Sequence, residues 1–205
     1  DLIGSPVDGL SISSFVSTNT SGTATLATNG SYYAVGIYDN SSDSWTNYSN
    51  TGSDWQAGNF DIGKGYQMGT VNGGTQLLEF TGTIATTDQT QSIINNDGNG
   101  SGRRWNLVAN PYPSYLNLNS AADGTNNLIS VNTAMGNQII DGSFAAVYGW
   151  NPNKSGGAGY DSYDNNDTAK YIAPGQGFFI AASGSSSIDL DFTEVMQTVT
   201  GGDDF

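Results

Sequence analysis

Five aromatic residues stand where large rings are seldom left: Trp45, Trp55, Trp150, Tyr160 and Tyr163 fall at predicted strand ends or inside stretches of Asp, Asn, Ser, Thr and Gly. A flat ring in such a place can lay its face against the CH-rich side of a sugar, while neighbouring Asn, Asp, Gln and Ser bond the hydroxyls. The same pattern admits a plainer reading, in which the rings fold back as lids over sheet edges. Exposure in the folded chain separates the two.

Carboxylates offer the second kind of chemistry. Asp161, Asp164 and Asp167 recur at intervals of three, and with Asn and backbone carbonyls they could complete the roughly six to eight oxygens that calcium takes. The spacing matches no EF-hand, and a solvated Asx turn explains the same residues. Asp39 and Asp43 form a thinner version of the pattern. Hydrolysis of a glycan needs two carboxylates across a cleft. Glu79, Asp191 and Glu194 are candidates by type, but nothing in their positions marks two as a facing pair.

Composition removes whole classes of mechanism. With no His, a Ser-His-Asp triad and a His zinc site are excluded, and with no Cys, so are thiolate sites and disulfides. Five basic residues against 19 acidic ones leave a formal charge of -14, which repels nucleic acid, anionic lipid and sulfated polymers. A neutral or weakly charged polysaccharide is the polymer such a surface would admit. No apolar run approaches the roughly 20 residues of a membrane span, so membrane insertion is not expected. At 36% hydrophobic content over 205 residues, the chain can bury a real core.

The elements that must position these residues are announced by repetition. Asp1-Leu2-Ile3-Gly4-Ser5-Pro6 answers Asn106-Leu107-Val108-Ala109-Asn110-Pro111, and Ser31 to Asn40 answers Ser143 to Pro152 without a gap. Gly65 falls on Gly177, and Leu78-Glu79-Phe80-Thr81 on Leu190-Asp191-Phe192-Thr193. Matched blocks in one order read as a duplication, with halves 1–104 and 105–205 forming one unit around a shared core. Residue 1 falls just inside the repeat, where a counterpart of Trp105 would precede it. That reads as a piece of a longer precursor whose other domains are natural partners.

Tyr32–Tyr38, Trp105–Val108 and Phe144–Trp150 read as strands, and Phe60–Thr70 as another. Asn72-Gly73 predicts a tight turn leading into a strand at Thr75–Thr81, and Tyr171–Ala182 with Ser187–Thr193 predicts a second hairpin. Leu10–Val16 reads more as strand or irregular structure than as a turn of helix, and Leu128–Ile140 suits either helix or strand. Trp105, Tyr112, Tyr66, Phe178 and Phe179 are expected in the core. Short strands broken by Gly and Asn turns predict an all-β fold, a jelly-roll-like β-sandwich of two pseudo-equivalent halves.

The run Trp105-Asn-Leu-Val-Ala-Asn-Pro-Tyr-Pro-Ser, followed by Tyr148-Gly-Trp-Asn, Ile172-Ala-Pro-Gly-Gln-Gly-Phe-Phe-Ile and Phe192-Thr-Glu, resembles a β module of large secreted and cell-surface proteins of Bacteroidota. There the module lies ahead of a type IX secretion sorting domain. The resemblance implies an extracellular or outer-surface setting in a Gram-negative bacterium, and no single activity. Three classes stay open: a non-catalytic carbohydrate-binding module, with no cofactor or with calcium, a structural or protein-interaction spacer of an adhesin, and a glycan-cleaving enzyme.

Overall fold

Alternation at period two makes the main strands, and aromatic or β-branched residues favour them. The computed structural model describes residues 1–21, 26–49, 58–71 and 77–201. Its main elements in chain order are β1 (Leu2–Gly4), α1 (Ile12–Asn19), β2 (Tyr32–Asp39), β3 (Ser44–Ser49), β4 (Gly65–Met68), β5 (Gln89–Ile93), β6 (Trp105–Ala109), α2 (Leu128–Asn132), β7 (Val147–Asn151), β8 (Gly159–Tyr163), β9 (Gly177–Ala181) and β10 (Ile188–Phe192). Strand makes up 39% against 12% helix, so the fold is mostly β, with antiparallel pairing throughout.

Two sheets carry the site. In the first, β4 lies between β1 and β2, with β3 on the outer side of β2; in the second the order is β8-β7-β9-β6. Their registers correspond. Leu2 pairs with Gln67 and Gly4 with Gly65 in the first, while Leu107 pairs with Phe179 and Ala109 with Gly177 in the second. Gly36 faces Gln67 as Tyr148 faces Phe179, and Tyr38 faces Trp45 as Trp150 faces Tyr160.

Between the sheets the chain makes reciprocal bridges, Ile3 with Gln176 and Lys64 with Val108. Gly4 N donates to Gly175 O at 2.7 Å, and Ala109 N to Gly63 O at 2.9 Å. Such close backbone approach requires glycine: a Cβ on Gly177 would lie 2.7 Å from the carbonyl carbon of Leu2, and one on Gly65 would lie 2.8 Å from Val108 O.

That junction of backbone and glycine holds few large side chains, and the buried apolar residues form two clusters where one continuous core was expected. One gathers Phe15, Leu26, Val35, Phe60, Tyr66 and Met68, with Phe60 edge-on to both Phe15 and Tyr66. The other gathers Leu116, Leu128, Ile140, Val147, Phe178 and Phe192 among others.

Several expected elements differ. Leu10–Val16 gives α1 instead of a strand, because Ser11 accepts from Ser14 N at 3.1 Å and Ile12, Phe15, Val16 and Asn19 share one buried face. The undecided stretch after Leu128 begins as α2, capped by Asn127 on Ser130 N at 2.8 Å. Residues 77–81 form no strand: the backbone of Glu79 is held by Asn19, whose side chain donates to Glu79 O and accepts from Glu79 N. Asn132 does the same to Asp191. The strand expected over Phe60–Thr70 shortens to β4, and the turn at Asn72-Gly73 lies outside the described residues. In place of a hairpin between them, β9 joins β6 and β7, while β10 pairs with β5.

Candidate functional site

On the second sheet, alternation places Trp105, Phe179, Tyr148 and Tyr160 along one face of β6, β9, β7 and β8. From the first sheet, Tyr38 at the end of β2 and its cross-strand partner Trp45 on β3 close over them. These six rings and Asp43 line a cleft of about 300 Å³.

Phe179 is its floor, only 7% exposed. Tyr38, Trp45 and Tyr160 stand edge-on to it, with centroids at 5.2, 6.3 and 5.6 Å. Trp45 and Tyr160 remain 40% and 42% exposed, so the walls present ring area to solvent above an apolar base. Trp105 and Tyr148 continue the lining, 4.7 Å apart and T-shaped.

The rim is polar and well fastened. Asp43 adopts a positive φ of 52°, which Asp tolerates better than most residues, and its carboxylate accepts from Tyr38 Oη at 2.7 Å. Burial, then the bond to Asp43, pushes the Tyr38 phenol above the usual tyrosine range. Asp39 binds Ser41 and Ser42, which hold its carboxyl below the ordinary carboxylate value. Asn40 donates to Ile94 O and to Asn106 Oδ1, and Arg103 donates to Ser41 O at 2.6 Å, so the turn is pinned to residues far along the chain.

Of the aromatics singled out in the sequence, Trp45 and Tyr160 meet here. Trp150 does not line this cleft: its ring sits 5.2 Å from Tyr160, and it borders another hollow with Leu2, Pro174 and Gln176. Tyr163 packs against the second core cluster, and Lys170 Nζ lies 4.5 Å from its ring centre. Trp55 lies outside the described residues.

The expected core residues Tyr66, Tyr112, Phe178 and Phe179 are buried, whereas Trp105 is half-exposed in the cleft. Tyr38 and Tyr148 are the lining residues that the sequence does not single out; it marks Asp43 only as a carboxylate for calcium, and Trp105 and Phe179 only as core. Period-two alternation through β7 and β9 puts Tyr148 and Phe179 on the face opposite Val147 and Phe178. It cannot say which face another sheet leaves open.

The three aspartates are not brought together around one point. Asp161 binds Asn151 Nδ2 and Lys154 Nζ, each at 2.8 Å, and those bonds, Asn151 first, hold its carboxyl low. Asp164 Oδ1 accepts from Asn166 N, and Asp167 Oδ2 accepts from Asp164 N. Among the described residues no three acidic, His or Cys side chains form a group able to hold a metal ion. Glu79, Asp191 and Glu194 do not line the cleft.

No protein-family model, curated protein or solved structure matches this chain. Among the described residues, no helix is long and apolar enough to cross a membrane.

Proposed function

We propose that the chain is a non-catalytic module that binds polysaccharide through the cleft of Tyr38, Trp45, Trp105, Tyr148, Tyr160 and Phe179. The observation that carries this reading is the pair of exposed walls, Trp45 and Tyr160, standing over a buried Phe179 floor. Rings so placed offer apolar area to a sugar face, and the Asp43 carboxylate beside them can accept from its hydroxyls. A cleft of about 300 Å³ sits at the small end of ligand pockets and suits one or two sugar units. Affinity per site is weak, since a shallow cleft buries little area against well-hydrated ligands. The reading needs no metal, and at -14 the chain disfavours sulfated and uronate polymers.

The module is read as a sandwich-like pair of copies of one β unit, a reading supported by the equivalent registers and the reciprocal bridges. Its setting, by the sequence resemblance, is the outer surface of a Gram-negative bacterium or its surroundings, as part of a larger secreted protein.

Affinity electrophoresis through gels containing neutral, uronate or sulfated glycans tests the reading. A neutral polymer retards the wild type. Trp45→Ala and Trp105→Ala each weaken retardation by about 2- to 10-fold, from the roughly 0.5–1.5 kcal/mol of a ring contact beyond its buried area, while Trp150→Ala stays near wild type. If no glycan retards the protein, or if the cleft variants run as the wild type does, the adhesin spacer reading replaces this one.

A further inference from the structure

The cleft does not stop at Tyr148. The same ring lines a second hollow of about 590 Å³, walled also by Phe144, Ser162, Asp164, Asn165 and Asn166. The two hollows are in line along one strand pair. Tyr160 borders the first and Ser162 the second, and residues two apart on a strand face the same way about 7 Å along it. Across the ladder, Trp150 and Tyr148 pair with these two residues. Phe144 stands edge-on to Trp105 at 5.5 Å, which carries the aromatic lining from one hollow to the other.

Their chemistry differs. The first is a box of rings, and the second is rich in hydroxyl, amide and carboxylate groups. Some of these are committed: Asn165 Oδ1 accepts from Ser120 N at 2.9 Å, and the Asp164 and Asp167 carboxylates brace their own turn. The side chains of Ser162 and Asn166 are exposed and have no hydrogen-bond partner among the described residues. Tyr148 divides the hollows, its phenol pushed up by burial and then by the Asp164 carboxylate.

We infer that the site takes an internal stretch of an extended, uncharged glycan, an inference that rests on the carbohydrate reading above. One sugar lies over Phe179 between Trp45 and Tyr160, and the chain runs past Tyr148 so that the next sugars bond Ser162 and Asn166. Asp43 at one end of this track and Asp164 and Asp167 at the other turn away uronates and sulfate esters, by like-charge repulsion. A ligand of one or two sugars fills the ring box and leaves the polar hollow to water.

The experiment is calorimetric titration of neutral oligosaccharides of one to six units, from the cello, xylo, manno and malto series. The expected result is a series whose affinity rises about tenfold between two and six units and then levels. Ser162→Ala combined with Asn166→Ala removes that rise and keeps the disaccharide affinity, and an unchanged melting curve certifies the fold. Equal affinity for disaccharide and hexasaccharide overturns the extended track while leaving carbohydrate binding intact, and so does a double variant that keeps the rise. Absence of binding by every series and by soluble neutral polysaccharides overturns both.

Discussion

Replacing Gly177 by alanine tests how closely the two sheets must meet. The new Cβ would fall 2.7 Å from Leu2 C and 2.9 Å from both Ile3 N and Leu2 O. All three are backbone atoms of β1, which is tied to β4 by its ladder and to Gln176 by its bridge. Carbon contacts are comfortable at about 3.5–4.0 Å, so β1 must retreat by about 1 Å and strain both sets of bonds. Overpacking of this kind costs about 1–3 kcal/mol, and at about 2–4 °C per kcal/mol for a chain of this size, Tm falls by about 2–12 °C.

Gly124→Ala is the matched control. It has nothing within 4 Å of its Cβ and no positive φ, so it should hold or gain up to about 1 kcal/mol by restricting the unfolded chain. Calorimetric melts of both variants supply the comparison. The cleft supplies a second readout, because Tyr38 and Trp45 sit on one sheet and Trp105 and Phe179 on the other, so glycan affinity drops with Gly177→Ala even at temperatures where it is folded. A Gly177→Ala protein melting within about 1 °C of wild type would refute the reasoning.

Asn132→Ala removes a fully buried side chain and leaves Asp191 N and Asp191 O without the partner it supplied; at about 1–3 kcal/mol per abandoned group it should lose about 2 kcal/mol or more in urea unfolding. A loss under about 1 kcal/mol would deny the clamp its role. High pH should also unfold the protein: burial pushes Tyr48 and Tyr112 up to about 12, while in the unfolded chain they titrate near 10. The fold therefore favours the neutral phenols, and their contribution is complete below about pH 10 and lost as pH rises through about 12. Urea unfolding across that range, with phenolate absorbance followed alongside, checks it; stability unchanged between pH 9 and 12 would count against it.

The strands were readable where sequence repeats and alternation agreed. Tyr32–Asp39 and Trp105–Ala109 announce themselves, and the match of Gly65 to Gly177 foreshadows a shared register. Where a short segment serves two periods, reading failed: Leu10-Ser11-Ile12 alternates, yet Phe15 and Val16 are adjacent and both must be buried, which only α1 allows. The clamps of Asn19 and Asn132 were invisible, since an Asn among Ser and Thr looks like loop chemistry until a distant backbone reaches it. Trp45 and Tyr160 stand out in the sequence because a ring in a polar stretch is conspicuous, and both line the cleft. Trp105 was misassigned to the core because its flanks are apolar, and exposure depends on where the other sheet ends.

The bridge between Ile3 and Gln176 also sets a timetable. A ribosome adds about 5–20 residues per second, so β1 is made on the order of ten seconds or more before the segment that covers its free edge. An uncovered edge is a template for pairing with another chain. This strand, Leu2–Gly4, ends in a glycine that weakens it alone. The late arrival of Gln176 supplies the backbone partner that this edge lacks until then.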